Sequence, residues 1–166
     1  IKLKEKLIFH TKLQLAWEAD YFFIATTEGE LIKALNTAYQ LKITFLLIGS
    51  GTKTVIPKKG FKGLVIKNRI ANIKISGIKG KVGKKGLGIE EAFVEADSGV
   101  TLKKLNDFLE KQNLLKINYA GSDQSTIGGA IFIDPNLKQA VQKLKVWENE
   151  YIFDINTDDL KRSHMI

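Results

Sequence analysis

Two short glycine-rich segments carry the residues that are best suited to chemistry, and in both cases the chemistry would be the binding of phosphate. The first glycine segment is residues 49–54, Gly-Ser-Gly-Thr-Lys-Thr, which follows an apolar run. Glycine lacks a Cβ, so its backbone N–H groups can turn toward an anion and a ligand can come close. Thr52 and Thr54 could add hydroxyl donors, and Lys53 could add positive charge. The alternative is an ordinary turn that ends a strand.

The second glycine segment is residues 125–129, Ser-Thr-Ile-Gly-Gly, which precedes another apolar run. Hydroxyl residues beside two glycines are consistent with a helix whose N-terminus faces a phosphate. The alternative is a helix that packs closely against a neighbour through its small residues. The first segment matches neither the Walker A pattern nor the glycine fingerprint of dinucleotide folds. Taken together, the two segments could hold one pyrophosphate between two lobes.

The composition excludes several classes of site. The chain has 166 residues, no Cys, and two His, at positions 10 and 164. A chain without Cys has no disulfide, no thiolate nucleophile and no zinc–thiolate site, and its expected compartment is a reducing cytoplasm. The two His lie near opposite ends of the sequence, so we expect no metal site. No apolar run approaches the roughly 20 residues that span a bilayer, so we expect no membrane segment.

The net charge of +8 permits two interpretations. It could attract polyanions or phosphorylated ligands, or the surface could simply be rich in solvated lysines. The basic residues are spread along the chain, without the interleaved aromatic residues typical of nucleic-acid binders. Nucleic acid is therefore not an expected partner, although a basic nucleotide- or nucleic-acid-binding domain stays a third hypothesis.

Hydrophobic periodicity predicts an α+β fold of small mixed sheets, each flanked by helices. Aromatic and β-branched runs indicate strands, and apolar residues at i, i+3 and i+4 indicate amphipathic helices. Thr27 and Glu30 are spaced as a capping box for the first helix. We expect two lobes, 1–69 and 70–166, with 77–88 as an alternative boundary. Strands are predicted at 19–27, 43–49, 61–68, 70–77 and 90–99 and as a pair within 141–155; helices are predicted within 26–42, 101–114 and 156–162; and 79–88 is predicted to be an exposed hairpin loop or lobe connection.

The order of these segments resembles the UDP-N-acetylmuramate dehydrogenases, the enolpyruvyl reductases of peptidoglycan synthesis. Residues 45–56, FLLIGSGTKTVI, resemble the first glycine loop of that family. Residues 60–75, GFKGLVIKNRIANIKI, resemble the phrase that follows it, and residues 125–133, STIGGAIFI, resemble its second glycine loop. The resemblance covers nearly the whole chain, since further family segments match, in the same order, at 10–22, 93–114 and 156–163.

The resemblance implies a two-lobed FAD-binding fold of the PCMH type, shared with vanillyl-alcohol-oxidase-type enzymes. It implies that FAD lies between the lobes, that NADPH reduces it, and that it passes a hydride to the enolpyruvyl group of a UDP-sugar. Arg162 falls where the family has an arginine near substrate and flavin. By the same resemblance, the residues that hold the FAD diphosphate are Gly49, Ser50, Gly51, Thr52, Lys53, Thr54, Ser125, Thr126, Ile127, Gly128 and Gly129.

Several positions depart from the family pattern. The Gly-Gly pair of the family is Ala16-Trp17 here, and its Ile-Pro-Gly before the second loop is Asp-Gln-Ser at 123–125. The substrate domain of the family would follow residue 166, so we expect this chain to be incomplete for catalysis. The alternative hypothesis is a degenerate module of the flavin fold that lacks FAD and binds a protein partner.

Overall fold

The computed structural model of the protein describes residues 1–12, 17–83 and 86–156. A four-stranded sheet forms the first half, in the strand order β1-β2-β4-β3. Strand β1 is antiparallel to β2, whereas β2 and β3 are both parallel to the central strand β4. The strands are β1 (Lys2–Lys6), β2 (Glu18–Ala25), β3 (Phe45–Ile48) and β4 (Phe61–Asn68).

Each face of this sheet carries its own apolar cluster, because the alternating side chains of the central strand point to opposite faces. On one face, helix α1 (Glu28–Gln40) packs Leu35 and Ala38 against Leu64 and Ile66. The opposite face is covered by the N-terminal segment and by the chain after β3. The buried residues of that second cluster are Leu7, Ala19, Phe22, Ile48, Ile56 and Val65.

The described part of the second half contains two hairpins and three helices. Strands β5 (Ile73–Gly83) and β6 (Gly86–Ala96) form a long antiparallel ribbon, and β7 (Lys143–Glu148) pairs with β8 (Tyr151–Asn156). A separate apolar cluster joins the helices of this half, and it includes Val100, Leu102, Leu105, Leu109, Ala130, Ile131 and Leu137. The helices are α2 (Leu102–Lys111), α3 (Ile127–Ile133) and α4 (Pro135–Lys138).

Trp147 on β7 joins the second hairpin to the first sheet. Its indole Nε1 donates a 2.7 Å hydrogen bond to Asn36 Oδ1 on α1. Its ring also meets Tyr39 and Phe45 edge-on, with centroid distances of 6.1 and 6.0 Å. Trp147 therefore packs against α1 and β3 where the second hairpin meets the first sheet.

The predicted capping box of α1 is confirmed. The Glu30 N–H donates to Thr27 Oγ1, and the Thr27 N–H donates to the Glu30 carboxylate, both at 3.2 Å. These bonds satisfy amide donors that have no partner inside the helix, so the start of α1 is set by residues three positions apart. The Glu30 carboxylate also accepts hydrogen bonds from the backbone N–H and the side-chain hydroxyl of Thr26. These bonds lower the pKa of Glu30, and the backbone bond has the larger effect.

Two sequence-based expectations differ from the structure. Strand β1 is not predicted, because its lysine-rich sequence has few apolar residues and is held only by pairing with β2. The segment 79–88, predicted to be a hairpin loop or a lobe connection, is mostly strand: residues 79–83 and 86–88 pair as the ends of β5 and β6, so the hairpin is present but these residues are not loop. Opposite charges across the ribbon support the pairing, as in the 2.9 Å contact of Lys79 Nζ with the Glu91 carboxylate.

Other expectations stay predictions. The helix predicted at 156–162 falls almost wholly outside the described residues. The division into lobes 1–69 and 70–166 is compatible with the separate apolar clusters but is not decided by them. Among the described residues, no helix combines the length and the apolar character needed to cross a membrane.

Candidate functional site

The two glycine segments meet in the folded chain, although more than seventy residues separate them in sequence. The hydroxyl of Thr52 lies 3.1 Å from the hydroxyl of Ser125, and Ser50 Oγ lies 3.3 Å from Thr52 Oγ1. A continuous row of three hydroxyl groups therefore links the first segment to the second. The juxtaposition expected from the sequence is present.

The first glycine segment begins where β3 ends at the edge of the sheet. Gly51 is buried, has a φ of +73°, and a Cβ there would lie 2.3 Å from the carbonyl oxygen of His10. Its own carbonyl accepts a 3.0 Å hydrogen bond from the Lys12 N–H. Only glycine adopts this backbone conformation in so little space without strain. The N-terminal segment thus fixes the course of the loop.

Gly49 faces the second segment. A Cβ at this position would lie 2.1 Å from Thr126 Oγ1, well inside the distance at which atoms repel. The glycine that ends β3 is therefore required by the close approach of Thr126. This contact inside the protein explains the residue type whether or not a ligand is present.

The backbone amides of the first segment have no acceptor in the described part of the chain. Among the hydrogen bonds between described residues, none uses an N–H group of residues 49–54 as donor. Backbone amides are strong donors that need a partner, which is protein, water or a ligand. Lys53 is exposed and Thr54 is half-buried, and neither forms a hydrogen bond or ion pair within the described part of the chain. The segment can present several N–H groups to an anion.

Most amides of the second segment are already used by the protein. The N–H groups of Ile127 and Gly128 donate to the carbonyls of Val100 and Ser98, at 2.7 and 2.9 Å. The Ser125 N–H donates to the carbonyl of Ser122 at 2.9 Å. For these three amides to bind a diphosphate, as expected from the sequence, their hydrogen bonds to backbone carbonyls would first have to break.

The Thr126 and Gly129 amides remain, since neither donates to an acceptor among the described residues. Gly129 is exposed, and the nearest atom to a Cβ there would be Thr126 Oγ1 at 3.4 Å. The Thr126 side chain is only 6% exposed, yet it makes no capping hydrogen bond to α3. Its hydroxyl has no hydrogen-bond partner among the described residues, which is uncommon for a buried group. It gives the site one further group that can bind a polar ligand.

Asn68, at the end of β4, holds the segment on which the second glycine segment rests. Its Nδ2 donates to Ser98 Oγ at 2.8 Å, and its Oδ1 accepts from the Ile70 N–H at 2.9 Å. Ser98 in turn binds the Gly128 amide and lies 3.0 Å from where a Cβ of that glycine would be. The contacts thus run from the first sheet to the start of α3.

Lys67 is a candidate site residue that the sequence analysis missed. It lies on β4 opposite Ile48, next to the start of the first segment, and its Nζ is 3.5 Å from the His10 carbonyl oxygen. The residue is half-buried, and burial, followed by the charge of Arg69, lowers the pKa of Lys67. The available signal was a lysine directly after the apolar residues 64–66, on a strand that also carries the exposed Lys62. A lysine count cannot distinguish it from the many exposed lysines.

His10 is anchored next to the same loop. Its ring stacks on Phe22 at a centroid distance of 4.2 Å, and its Nε2 lies 3.0 Å from a carboxylate oxygen of Glu5. The hydrogen bond with His10, followed by that with Lys2, lowers the pKa of Glu5. This pairing fixes the carbonyl that contacts both Gly51 and the ammonium group of the half-buried lysine.

The sequence also singled out Arg162 and Trp17. Arg162 lies outside the described residues, so its placement near substrate stays a prediction. Trp17 packs its partly buried side chain against the apolar cluster that contains Leu7, and its carbonyl accepts the Leu7 N–H at 2.7 Å. The indole is thus a core residue of the first half. In the described ranges there is no group of three or more residues arranged to hold a metal ion.

Comparison with known proteins places the chain in a family. A family described as an FAD binding domain matches residues 19–133. A UDP-N-acetylenolpyruvoylglucosamine reductase of Caldanaerobacter subterraneus subsp. tengcongensis is 25% identical over 169 aligned positions, which cover 98% of this chain and 51% of that protein. The reductase of Treponema denticola is 30% identical over 124 positions, which cover 75% of this chain and 36% of that protein.

Solved structures share the fold. The reductase of Thermus caldophilus superposes with a TM-score of 0.69 at 15% identity, covering 94% of this chain and 52% of that one. The cholesterol oxidase of B. sterolicum superposes with a TM-score of 0.53 at 17% identity, covering 84% of this chain and 29% of that one. The predicted α+β class of FAD-binding fold is confirmed. The chain spans about half the length of the curated relatives it matches. It belongs to the FAD binding domain family and is related to the UDP-N-acetylenolpyruvoylglucosamine reductases.

Proposed function

We propose that this chain binds FAD, and that the two glycine segments hold the diphosphate between them. The observation that carries the proposal is the 3.1 Å contact of Thr52 Oγ1 with Ser125 Oγ, because it joins both segments in one polar site. A diphosphate has two negatively charged groups, and a pair of loops from different parts of the fold can contact both.

The groups present fit a diphosphate. The first segment offers backbone N–H groups that have no acceptor among the described residues, and the row of hydroxyls beside it can donate as well. The buried hydroxyl of Thr126 has no capping partner, and Gly129 is exposed at the start of α3. Donors of this kind, together with a nearby lysine, suit phosphate oxygens. A bound diphosphate would supply the acceptors that these groups lack.

We further propose that the chain is the flavin-binding part of a reductase that acts on an enolpyruvyl UDP-sugar with NADPH. FAD would supply the hydride-transfer chemistry, while this chain would bind and orient it. The names of the curated relatives and the family match support this reading. Because the chain spans about half the length of those relatives, we propose that substrate protonation falls to residues outside this sequence. Arg162 is the proposed contact of this chain with substrate and flavin.

A cytoplasmic location belongs to the same proposal. The sequence contains no Cys, which is compatible with the reducing compartment where disulfides do not persist.

A second candidate function is a module of the same fold that binds a protein partner and no FAD. It is favoured by the glycines, since contacts inside the protein explain Gly49, Gly51 and Gly128 without any ligand. It is also favoured by the second segment, where the Ile127 and Gly128 amides already have backbone acceptors.

An absorbance spectrum and a thermal melt of the purified chain with added FAD distinguish the two candidates. If FAD binds, flavin absorbance will remain with the protein after gel filtration, and the melting temperature will rise with FAD concentration. The stabilisation should approach about 2.7 kcal/mol when free FAD is 100 times its dissociation constant. Gly129→Val, which adds bulk at the exposed start of α3, should weaken binding, whereas Ser76→Ala on the β5 ribbon should not. An unchanged melt at millimolar FAD would reject FAD binding and leave the protein-binding module.

A further inference from the structure

We propose that Lys67 is the cation that neutralises the diphosphate from beneath the first glycine segment. This inference rests on the proposed function and adds to it a residue that lies outside both glycine segments. The sequence resemblance assigns phosphate binding to the loops alone, whereas the fold brings this strand lysine to the same place.

The position of Lys67 follows from the sheet register. Strands β3 and β4 are parallel, and Ile48, the last residue of β3, is the partner of Lys67. The next residue along the chain from Ile48 is Gly49, so the lysine stands beside the point where the first segment leaves the sheet. Its Nζ reaches the carbonyl oxygen of His10 at 3.5 Å. The same oxygen would lie 2.3 Å from a Cβ at Gly51. The Lys67 ammonium and the backbone of Gly51 therefore both lie next to the His10 carbonyl.

The charge of Lys67 is not balanced by the described part of the protein. Several other lysines pair with carboxylates, for example Lys74 with Glu95 at 3.1 Å and Lys103 with Asp107 at 2.7 Å. Among the described residues, Lys67 has only a carbonyl oxygen within hydrogen-bonding distance, and the neighbouring charge that acts on it is that of the cation Arg69. A half-buried ammonium group without an anion is costly, and lysines of this kind are normally paired.

A phosphate group would remove that cost. Partial burial weakens the screening by water, so the attraction between an ammonium and a phosphate is stronger here than at an exposed lysine. The ammonium and the backbone of Gly51 both lie next to the His10 carbonyl, so an anion bound by the amide donors of the first segment would also be near the ammonium. Lys53, which belongs to the segment itself, is exposed and would contribute less.

The alternative role of Lys67 is purely structural, in which its ammonium group only hydrogen-bonds the His10 carbonyl. The two roles differ in their dependence on phosphate. A structural lysine would affect folding but would not distinguish ligands by their charge. A phosphate-binding lysine would distinguish FAD and ADP, which have a diphosphate, from riboflavin, which has no phosphate.

The test is a set of dissociation constants for FAD, ADP and riboflavin with the wild-type chain and with Lys67→Met, Lys67→Arg and Lys62→Met. Charged hydrogen bonds contribute about 1.5–3 kcal/mol, so Lys67→Met should weaken FAD and ADP about 10- to 100-fold. Its riboflavin constant should change less than about twofold, and Lys67→Arg should keep most of the affinity because it keeps the charge. Lys62→Met, on the same strand with a side chain that is 78% exposed, is the matched control and should change none of the three.

The outcomes separate this inference from the proposed function. If the wild type binds FAD and ADP while Lys67→Met binds them equally well, or loses riboflavin to the same degree, the role of Lys67 is refuted and FAD binding stands. If the wild type binds neither FAD nor ADP, the proposed function is refuted and this inference with it. If Lys67→Met does not fold, the question is answered by NMR of the wild-type chain labelled with ¹³C-lysine. The Lys67 signal is assigned as the one that is missing in Lys67→Arg. The Lys67 ε-carbon resonance must then shift with ADP and stay in place with riboflavin; a static resonance with ADP would refute the inference.

Discussion

The hydroxyl oxygens of Thr52 and Ser125 lie 3.1 Å apart, and this contact ties the loop that leaves the first sheet to the loop that starts α3. The Ser125 side chain is 2% exposed, so water does not offer a substitute partner. Thr52 is half-buried and has a second partner in Ser50. The two ends of the contact are therefore unequal, and removing one is not equivalent to removing the other.

Thr52→Val should destabilise the protein more than Ser125→Ala. The valine leaves the buried Ser125 hydroxyl without a described partner, which costs about 1–3 kcal/mol. The alanine leaves Thr52 with its contact to Ser50, so its cost should be smaller. The double variant should be more stable than Thr52→Val alone, because no orphaned hydroxyl remains. Urea denaturation measures the free energies of unfolding, and equal losses in the two single variants would contradict the asymmetry.

Gly49→Ala should lower the free energy of unfolding by about 1–3 kcal/mol, because the new methyl group would lie 2.1 Å from Thr126 Oγ1. Adding Thr126→Ala removes the two nearest atoms and should restore part of the loss, so the pair should not be additive. Gly29→Ala in α1 is the control, since nothing lies within 4 Å of its Cβ position and alanine favours the helix. Thermal melts of the four variants test this prediction, and full additivity of the pair would rule out the contact.

Asn68→Ala should loosen the second glycine segment as well as destabilise the fold, by about 2–3 kcal/mol. Both of its hydrogen bonds would be lost, and the Ser98 segment that binds the Gly128 amide would lose its link to β4. Amide hydrogen exchange measures the local effect, and exchange at Gly128 should accelerate.

The matched control for this change is Asn106→Ala in α2. Asn106 also makes two hydrogen bonds, with the N–H of Ile117 at 2.8 Å and with its carbonyl at 3.1 Å, but it does not contact the Ser98 segment. It should destabilise the protein to a similar degree without selectively accelerating exchange at Gly128. If both variants affect that amide equally under native conditions, Asn68 has no special role in holding the segment.

Glu5 should make the stability of the protein depend on acid pH. Its pKa in the folded chain is lowered from the ordinary 4.5 by its hydrogen bond with His10 and then by Lys2. The stabilisation is therefore fully present above about pH 4.5 and is lost as the pH falls through the lowered pKa of the folded state. Glu5→Gln should flatten the melting temperature profile below that pH.

His10→Phe provides the test of this cause, since the new ring can still stack on Phe22 while the hydrogen bond to Glu5 is lost. It should flatten the acid profile to a similar degree, and the double variant with Glu5→Gln should add little. An unchanged acid profile in both single variants would show that the Glu5–His10 pair does not contribute to the pH dependence.

The elements of the fold that depend on neighbours in sequence could be predicted. The capping box of α1, the apolar stripe of α2 and the aromatic and β-branched run of β2 arise from residues a few positions apart. The β5–β6 ribbon was missed at its outer ends, because the glycines and lysines of 79–88 favour a loop when taken alone. Their pairing depends on the partner strand, including the contact of Lys79 with Glu91. Local propensity predicts secondary structure least well where contacts with a partner strand determine it.

For the candidate site, the sequence by itself determined that two glycine segments exist, that they follow a strand and start a helix, and which family they resemble. Only the tertiary structure decided which of their amides are free, because Ile127 and Gly128 donate to carbonyls of a different segment. It also decided that Gly49 is required by Thr126, and that Lys67 lies beside the loop. The physical reason is that capping and periodicity are local properties of the chain. Burial, close approach and the absence of a counter-charge arise from residues that meet only when the sheet and helices are packed.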